Sequence, residues 1–131
     1  MRWQDLVQQV QFLGQYTSER EAERVLHTVL TALGPHVTGE DRFDLAQRLP
    51  EQATLIVAQQ PPAPHAPGAA RFVDTVAARL HRATRATARW DVSAVLDPVA
   101  RQAGEDLTAR IIAALPEGYC HLFGRAELTT A

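Results

Sequence analysis

Apolar residues recur along the chain at three- and four-residue intervals with almost no strict alternation, which predicts helices throughout and no sheet. Trp3, Leu6, Val7, Val10 and Leu13 form a first stripe, closed by Gly14. Ser18 with Glu21 three residues on has the form of a capping box. Ala22, Val25, Leu26, Val29, Leu30 and Leu33 then follow at helical spacing, the strongest amphipathic pattern in the chain. Gly34 and Pro35 are expected to end it, a flexible residue followed by one that cannot continue a helix. A third helix is expected from near Thr38, with Asp41 as a second box-like partner, through Phe43, Leu45 and Ala46 to Leu49. Pro50 is placed to open a short fourth helix through Val57.

The segment 59–69, QQPPAPHAPGA, holds four of the eight prolines and reads as an extended linker. Beyond it the patterns return. Phe72, Val73, Val76, Ala77 and Leu80 repeat the first stripe, Val92, Val95, Leu96 and Val99 the second, and Leu107, Ile111 and Ala114 the third less cleanly. A gap-free shift of 66 residues pairs Ala22 with Ala88, Val29 with Val95, Leu30 with Leu96, and Leu49-Pro50-Glu51 with Leu115-Pro116-Glu117. The first helices pair instead as Asp5 with Asp74 and Val7 with Val76, predicting a turn three residues longer in the first half. The expected architecture is all-α, a helical bundle of six to eight helices in two related halves produced by internal duplication. Its parts are a first repeat over 1–58, the linker over 59–69 and a second repeat over 70–131, packed as one globular domain. Pro98 falls inside the main helix of the second half, where a kink or a restart is expected.

Composition narrows the chemistry. With 131 residues, 46% hydrophobic and 21% charged, the chain is long enough to bury a core without disulfide or metal. A net charge of −2 argues against a strongly basic nucleic-acid binder. All thirteen positive side chains are arginine, and there is neither lysine nor asparagine. Lysine Schiff bases, lysine-borne prosthetic arms, a P-loop lysine and N-glycosylation are therefore excluded. The single cysteine, Cys120, cannot form an internal disulfide. The N-terminal MRWQDLVQQV has no apolar run long enough for a signal peptide or membrane span, so a cytoplasmic setting away from membranes is expected.

Three constellations invite a functional reading. Arg79, Arg82, Arg85 and Arg89, with His81 beside them, would share one broad face if their stretch is helical, and four guanidinium groups there could grip phosphates. The plainer reading is a solvated face. Glu23 with His27 and Glu117 with His121 are each spaced by four, but the pairs do not correspond under the 66-residue shift; no metal and no cofactor is expected. Cys120 adjoins His121, yet helical neighbours point roughly 100° apart. Lying between Tyr119 and Leu122-Phe123, Cys120 reads as a buried structural residue. No Gly-rich phosphate loop, HExxH, CxxC or GxSxG is present, and no catalytic residue is assigned. Trp3, Phe12, Phe43, Phe72, Tyr119 and Phe123 are expected mostly in the core. Trp90, at the end of the arginine stretch, is the candidate for an exposed interface anchor.

Glu21-Ala22-Glu23-Arg24 leading to Val29-Leu30 and Leu33, then Leu49-Pro50-Glu51, Phe72 with Val76, Val95-Leu96, and Leu115-Pro116-Glu117-Gly118-Tyr119 leading to Leu122-Phe123 together resemble the bacterial DUF2267 family. Pro98 and the Arg/Thr-rich stretch from His81 to Arg89 depart from that pattern. The resemblance implies an all-helical fold, commonly in two copies, and a bacterial cytosolic setting; it implies no activity. The leading functional expectation is a non-enzymatic regulatory or protein-interaction module with a protein partner or self-association. The alternative is anion or nucleic-acid binding through Arg79, Arg82, Arg85 and Arg89.

Overall fold

A computed structural model describes residues 1–82 and 84–125. Ala83 and the last six residues of the expected second repeat, 126–131, lie outside the described residues. In chain order the helices are α1 (Trp3–Gly14), α2 (Glu19–Leu33), α3 (Gly39–Ala46), α4 (Glu51–Ala58), α5 (Ala69–Arg79), α6 (Arg85–Ala103), α7 (Glu105–Ala113) and α8 (Tyr119–Leu122), with a 3-10 turn over Gly34–His36. Among the described residues there is no strand. The two longest helices begin alike. Ser18 Oγ accepts from the Glu21 N–H at 3.1 Å, and Thr84 Oγ1 accepts from the Thr87 N–H at 3.2 Å, each satisfying an amide the first turn leaves free.

These two helices form the centre of the bundle. α2 packs against α1, α4, α5 and α6, while α6 packs against α1, α2, α5, α7 and α8; α3 bridges α4 and α7. One core therefore runs through both halves, with Leu26, Leu30, Phe72, Leu96, Tyr119 and Phe123 buried in it. The Phe72 and Tyr119 rings meet in a tilted pair with centroids 5.5 Å apart.

Several local expectations change. α3 ends at Ala46, not Leu49, because the Leu45 carbonyl takes both the Arg48 and Leu49 amides (3.0 and 3.1 Å) and tightens the last turn. Pro50 is the extended residue before α4 rather than its first helical residue. α6 continues through the buried Pro98 without a restart. The ring leaves the Ala94 carbonyl without its usual amide, and Asp97, which would have capped a new helix, reaches Arg101 at 3.3 Å instead. The turn between α1 and α2 is not three residues longer than its counterpart: α1 ends at Gly14 and α2 starts at Glu19, while α5 ends at Arg79 and α6 starts at Arg85. Nor does Gly34 supply a left-handed stop, since its φ is −49°. A Cβ there would lie 2.7 Å from Gln60 Cγ, so glycine makes room for the chain leaving α4.

The proline-rich segment is fastened down at both ends. Arg42 donates to the carbonyls of Val37 (2.8 Å), Gly34 (2.6 Å) and Gln60 (2.8 Å), and the Ala63 N–H donates to the Pro35 carbonyl at 3.0 Å. At the far end the Tyr119 hydroxyl donates to the Pro67 carbonyl at 2.8 Å, and burial pushes that hydroxyl's pKa up to about 12. Segment 59–69 is thus a strap over the bundle, tied by groups from α3 and α8.

Candidate functional site

The four arginines singled out from spacing do not share a helix. Arg79 closes α5, Arg82 lies in the connection, and Arg85 and Arg89 open α6. His81, between them, is in the left-handed conformation at φ 55°, which turns the chain and breaks the proposed face. Two of the four are already engaged. Arg85 forms a two-pronged pair with Asp74 (2.8 and 2.9 Å), which raises the pKa of Arg85 and lowers that of Asp74. Arg82 donates from Nε to Asp91 at 2.8 Å and approaches Glu21 at 3.5 Å, and the Asp91 bond raises its pKa. Arg79 and Arg89 are exposed.

Asp91 of α6 anchors a junction with the α1–α2 and α5–α6 connections. It lies on the buried stripe of α6 with Ala88, Val92, Val95 and Val99. A carboxylate there needs partners, and it has them: the Tyr16 hydroxyl donates to one oxygen at 2.5 Å and Arg82 to the other. Burial, reinforced by the bond to Asp91, holds the Tyr16 hydroxyl protonated well above the usual tyrosine range. The Tyr16 ring folds back over Gly14. A Cβ on Gly14 would fall 2.5 Å from Tyr16 Cζ and 2.7 Å from Cδ2, so this glycine is required by close approach. The left-handed turn that ends α1 is made by Gln15 instead, at φ 56°. The Gly14 carbonyl accepts from Trp90 Nε1 at 3.0 Å, fixing the end of α1 against the start of α6. Tyr16 and Asp91 are absent from the sequence candidates. The signal for Asp91 was present, an acid three residues after Ala88 on an otherwise apolar stripe; nothing local marked Tyr16 as its partner.

Above this junction the outer face of α1 is open. Phe12 is 81% exposed and Phe43, on α3, is 67% exposed, so neither belongs to the core. Phe12 is two residues from both Val10 and Gly14, which points it roughly 200° away from the buried line. Phe43 stands in the same relation to the buried Leu45. Trp90, hydrogen-bonded at its edge, is 52% exposed. Open hollows flank Phe12, one toward Gln15 and Thr17, the other toward Met1 and, across on α6, Arg101.

The remaining candidates are dispersed. Glu23 and His27 are both exposed on α2, whereas Glu117 lies in the turn before α8 and does not share a helix with His121. Among the described residues no three His, Cys, Asp or Glu side chains are grouped to hold a metal. Cys120 is half-buried, not buried: α8 turns Tyr119 and Leu122 inward and leaves the thiol on the wall of an open groove with Ile112 and Leu115. No described helix is long and apolar enough to cross a membrane.

No curated protein matches the sequence. The profile of a family described as "Uncharacterized conserved protein (DUF2267)" matches residues 3–122, which takes in every helix described above, and the chain belongs to that family.

Proposed function

We propose that the protein is a non-enzymatic interaction module that binds another protein chain through the outer face of α1. The carrying observation is Phe12, a large apolar side chain standing in solvent on a helix whose inner face is fully packed. Interface centres are rich in aromatic residues and poor in charge, and the exposed positions beside Phe12 include Gln8, Gln15 and Thr17, with Asp5 and Arg101 farther out in one hollow. Single exposed apolar residues are ordinary; one set between two hollows on a face with few charges is what supports binding. The test places a photo-reactive residue at position 12 and, as control, at the exposed Ala70. Crosslinks to protein from position 12 alone are expected, and equal crosslinking from both positions, or none, would remove the proposal.

A second reading has its own observation. α6 opens with Arg85 and Arg89 and has no acidic residue in its first turn, so guanidinium charge adds to the positive end of the helix. Anion binding by Arg79, Arg82, Arg85 and Arg89 would rest chiefly on Arg79 and Arg89 while the other two stay paired. It predicts salt-sensitive binding to a polyanion that reversing Arg79 and Arg89 weakens.

We further infer that the two halves descend from one duplicated unit. In support, α1 and α5, α2 and α6, and α3 and α7 begin at residues 3 and 69, 19 and 85, and 39 and 105, the same 66-residue interval each time. The left-handed residues Gln15 and His81 keep that interval, as do the bonds from the Tyr16 N–H to the Gln11 carbonyl and from the Arg82 N–H to the Ala77 carbonyl. Tyr16 and Arg82, at corresponding positions, both reach Asp91. Relatives of this chain should align with themselves at the corresponding offset better than shuffled sequences do; lack of self-similarity would remove the inference.

A further inference from the structure

The α1 face has features a partner-specific patch would not require. It carries both a ridge, Phe12, and open hollows beside it. It is nearly free of charge: the thirteen residues from Leu6 to Ser18 contain no Asp, Glu or Arg, in a chain that is 21% charged. Charges of both signs border it, among them Glu19, which accepts from Gln4 of α1 at 2.7 Å. Asp5 and Arg101 line the same hollow, and the Arg101 side chain is 68% exposed even with Asp97 at 3.3 Å.

From this geometry we infer that the occupant of the face is a second copy of the same chain, related by a two-fold axis. A two-fold interface places one patch against itself, so the patch must contain both members of every complementary pair. Here Phe12 of each copy fills a hollow of the other, and Asp5 of each copy lies opposite Arg101 of the other. A strongly charged partner would find little on this face to pair with. The inference rests on the reading of α1 as the binding face and specifies what it binds. A stable interface of ordinary size covers roughly 800 Å² per partner. The twelve residues of α1 span only about 18 Å. One helix face supplies part of that area, so the pair forms reversibly with concentration.

Sedimentation equilibrium of the full chain over a concentration series tests this. The mass is expected to rise from 14.4 kDa toward twice that value. Phe12→Glu, at an exposed position that leaves the fold intact by circular dichroism, should stay at 14.4 kDa under the conditions where the wild type pairs, while Phe43→Glu should pair like wild type. Asp5→Arg and Arg101→Asp should each weaken pairing, and the double swap should restore it. A wild-type chain that stays monomeric throughout, or a pair that survives Phe12→Glu, overturns the inference. If the wild type is monomeric yet position 12 still crosslinks to foreign protein, the second copy is refuted and the interaction reading stands; if position 12 crosslinks to nothing, both fall.

Discussion

Replacing Gly14 with alanine should invert the usual effect of that change. In a helix, Gly→Ala ordinarily stabilises by about 0.5–1 kcal/mol, because alanine loses less backbone entropy on folding. At Gly14 the new Cβ would stand 2.5 Å from Tyr16 Cζ and 2.7 Å from Cδ2, with no vacant space between helix and ring. The ring cannot slide, since its hydroxyl is held by Asp91 at 2.5 Å. Overpacking of this kind costs about 1–3 kcal/mol. Swinging the ring outward relieves it but forfeits a hydrogen bond to a charged acceptor, worth about 1.5–3 kcal/mol. Tyr16 is only part-buried, so the outward swing sets the cost, and after the propensity gain the net loss is about 2 kcal/mol. At roughly 4 °C per kcal/mol the melting temperature should fall by about 8 °C. Guanidinium unfolding followed by tryptophan fluorescence, on wild type, Gly14→Ala, Tyr16→Ala and the double variant, isolates the term. With the ring gone, Gly14→Ala should stabilise by up to about 1 kcal/mol, giving a coupling of about 3 kcal/mol. Gly14→Ala as stable as wild type, or equally destabilising in both backgrounds, would refute the close-approach argument.

Other outcomes follow from the same contacts. Asp91→Ala strands Arg82 and Tyr16 and should cost about 3 kcal/mol, the lower end for a broken buried pair because Arg82 is 22% exposed and has Glu21 at 3.5 Å; denaturant midpoints measure it. Asp91→Asn, which can still accept from Tyr16, should cost less. Arg42→Ala removes three bonds to backbone carbonyls and should lower stability by about 2 kcal/mol, with limited proteolysis appearing within 61–67; an unchanged cleavage pattern would show the strap is held by other means. Both tyrosines have raised folded pKa values, Tyr119 to about 12 and Tyr16 further, so their contribution to stability is complete below pH 10 and is lost as pH rises beyond it. A tyrosinate absorbance titration should show no transition at the ordinary value of 10 before unfolding. His36 runs the other way: burial lowers its pKa below 6.5, the unfolded chain takes up its proton first, and stability falls as pH drops through that value. An NMR titration placing the His36 ring at or above 6.5 would contradict this.

Helix positions were legible because burying one face of a helix imposes a period that needs no knowledge of the partner. Val25, Leu26, Val29, Leu30 and Leu33 specify the inward side of α2 whichever helix covers it, and the Ser18 cap is a contact within one turn. The aromatic residues were harder to read. Phe72 and Tyr119 are core and Phe12 and Phe43 are not, although all four are apolar; the difference is angular offset from the buried line, visible on a helical wheel for Phe12 but easily lost when aromatics are assigned to the core by type. The arginine face failed for a local reason, the left-handed His81, and for a distant one, the capture of Arg82 and Arg85 by Asp91 and Asp74.

By itself, then, the sequence determined the helices, the Ser18 cap of α2, the extended proline-rich segment and the all-α class, because hydrophobic period, capping and proline sterics act within a few residues of where they are read; Thr38, expected to cap α3, makes no such bond. Only the tertiary structure decided what the polar residues do. Asp91 meets Tyr16 from 75 residues away, Arg110 of α7 meets Asp44 of α3 across 66 residues, and Gly14 is a glycine because of a ring that folds back over it. Such pairings depend on how helices rotate and cross, which short-range patterns do not encode. The exposed Phe12 face is likewise defined by what the packed bundle leaves uncovered.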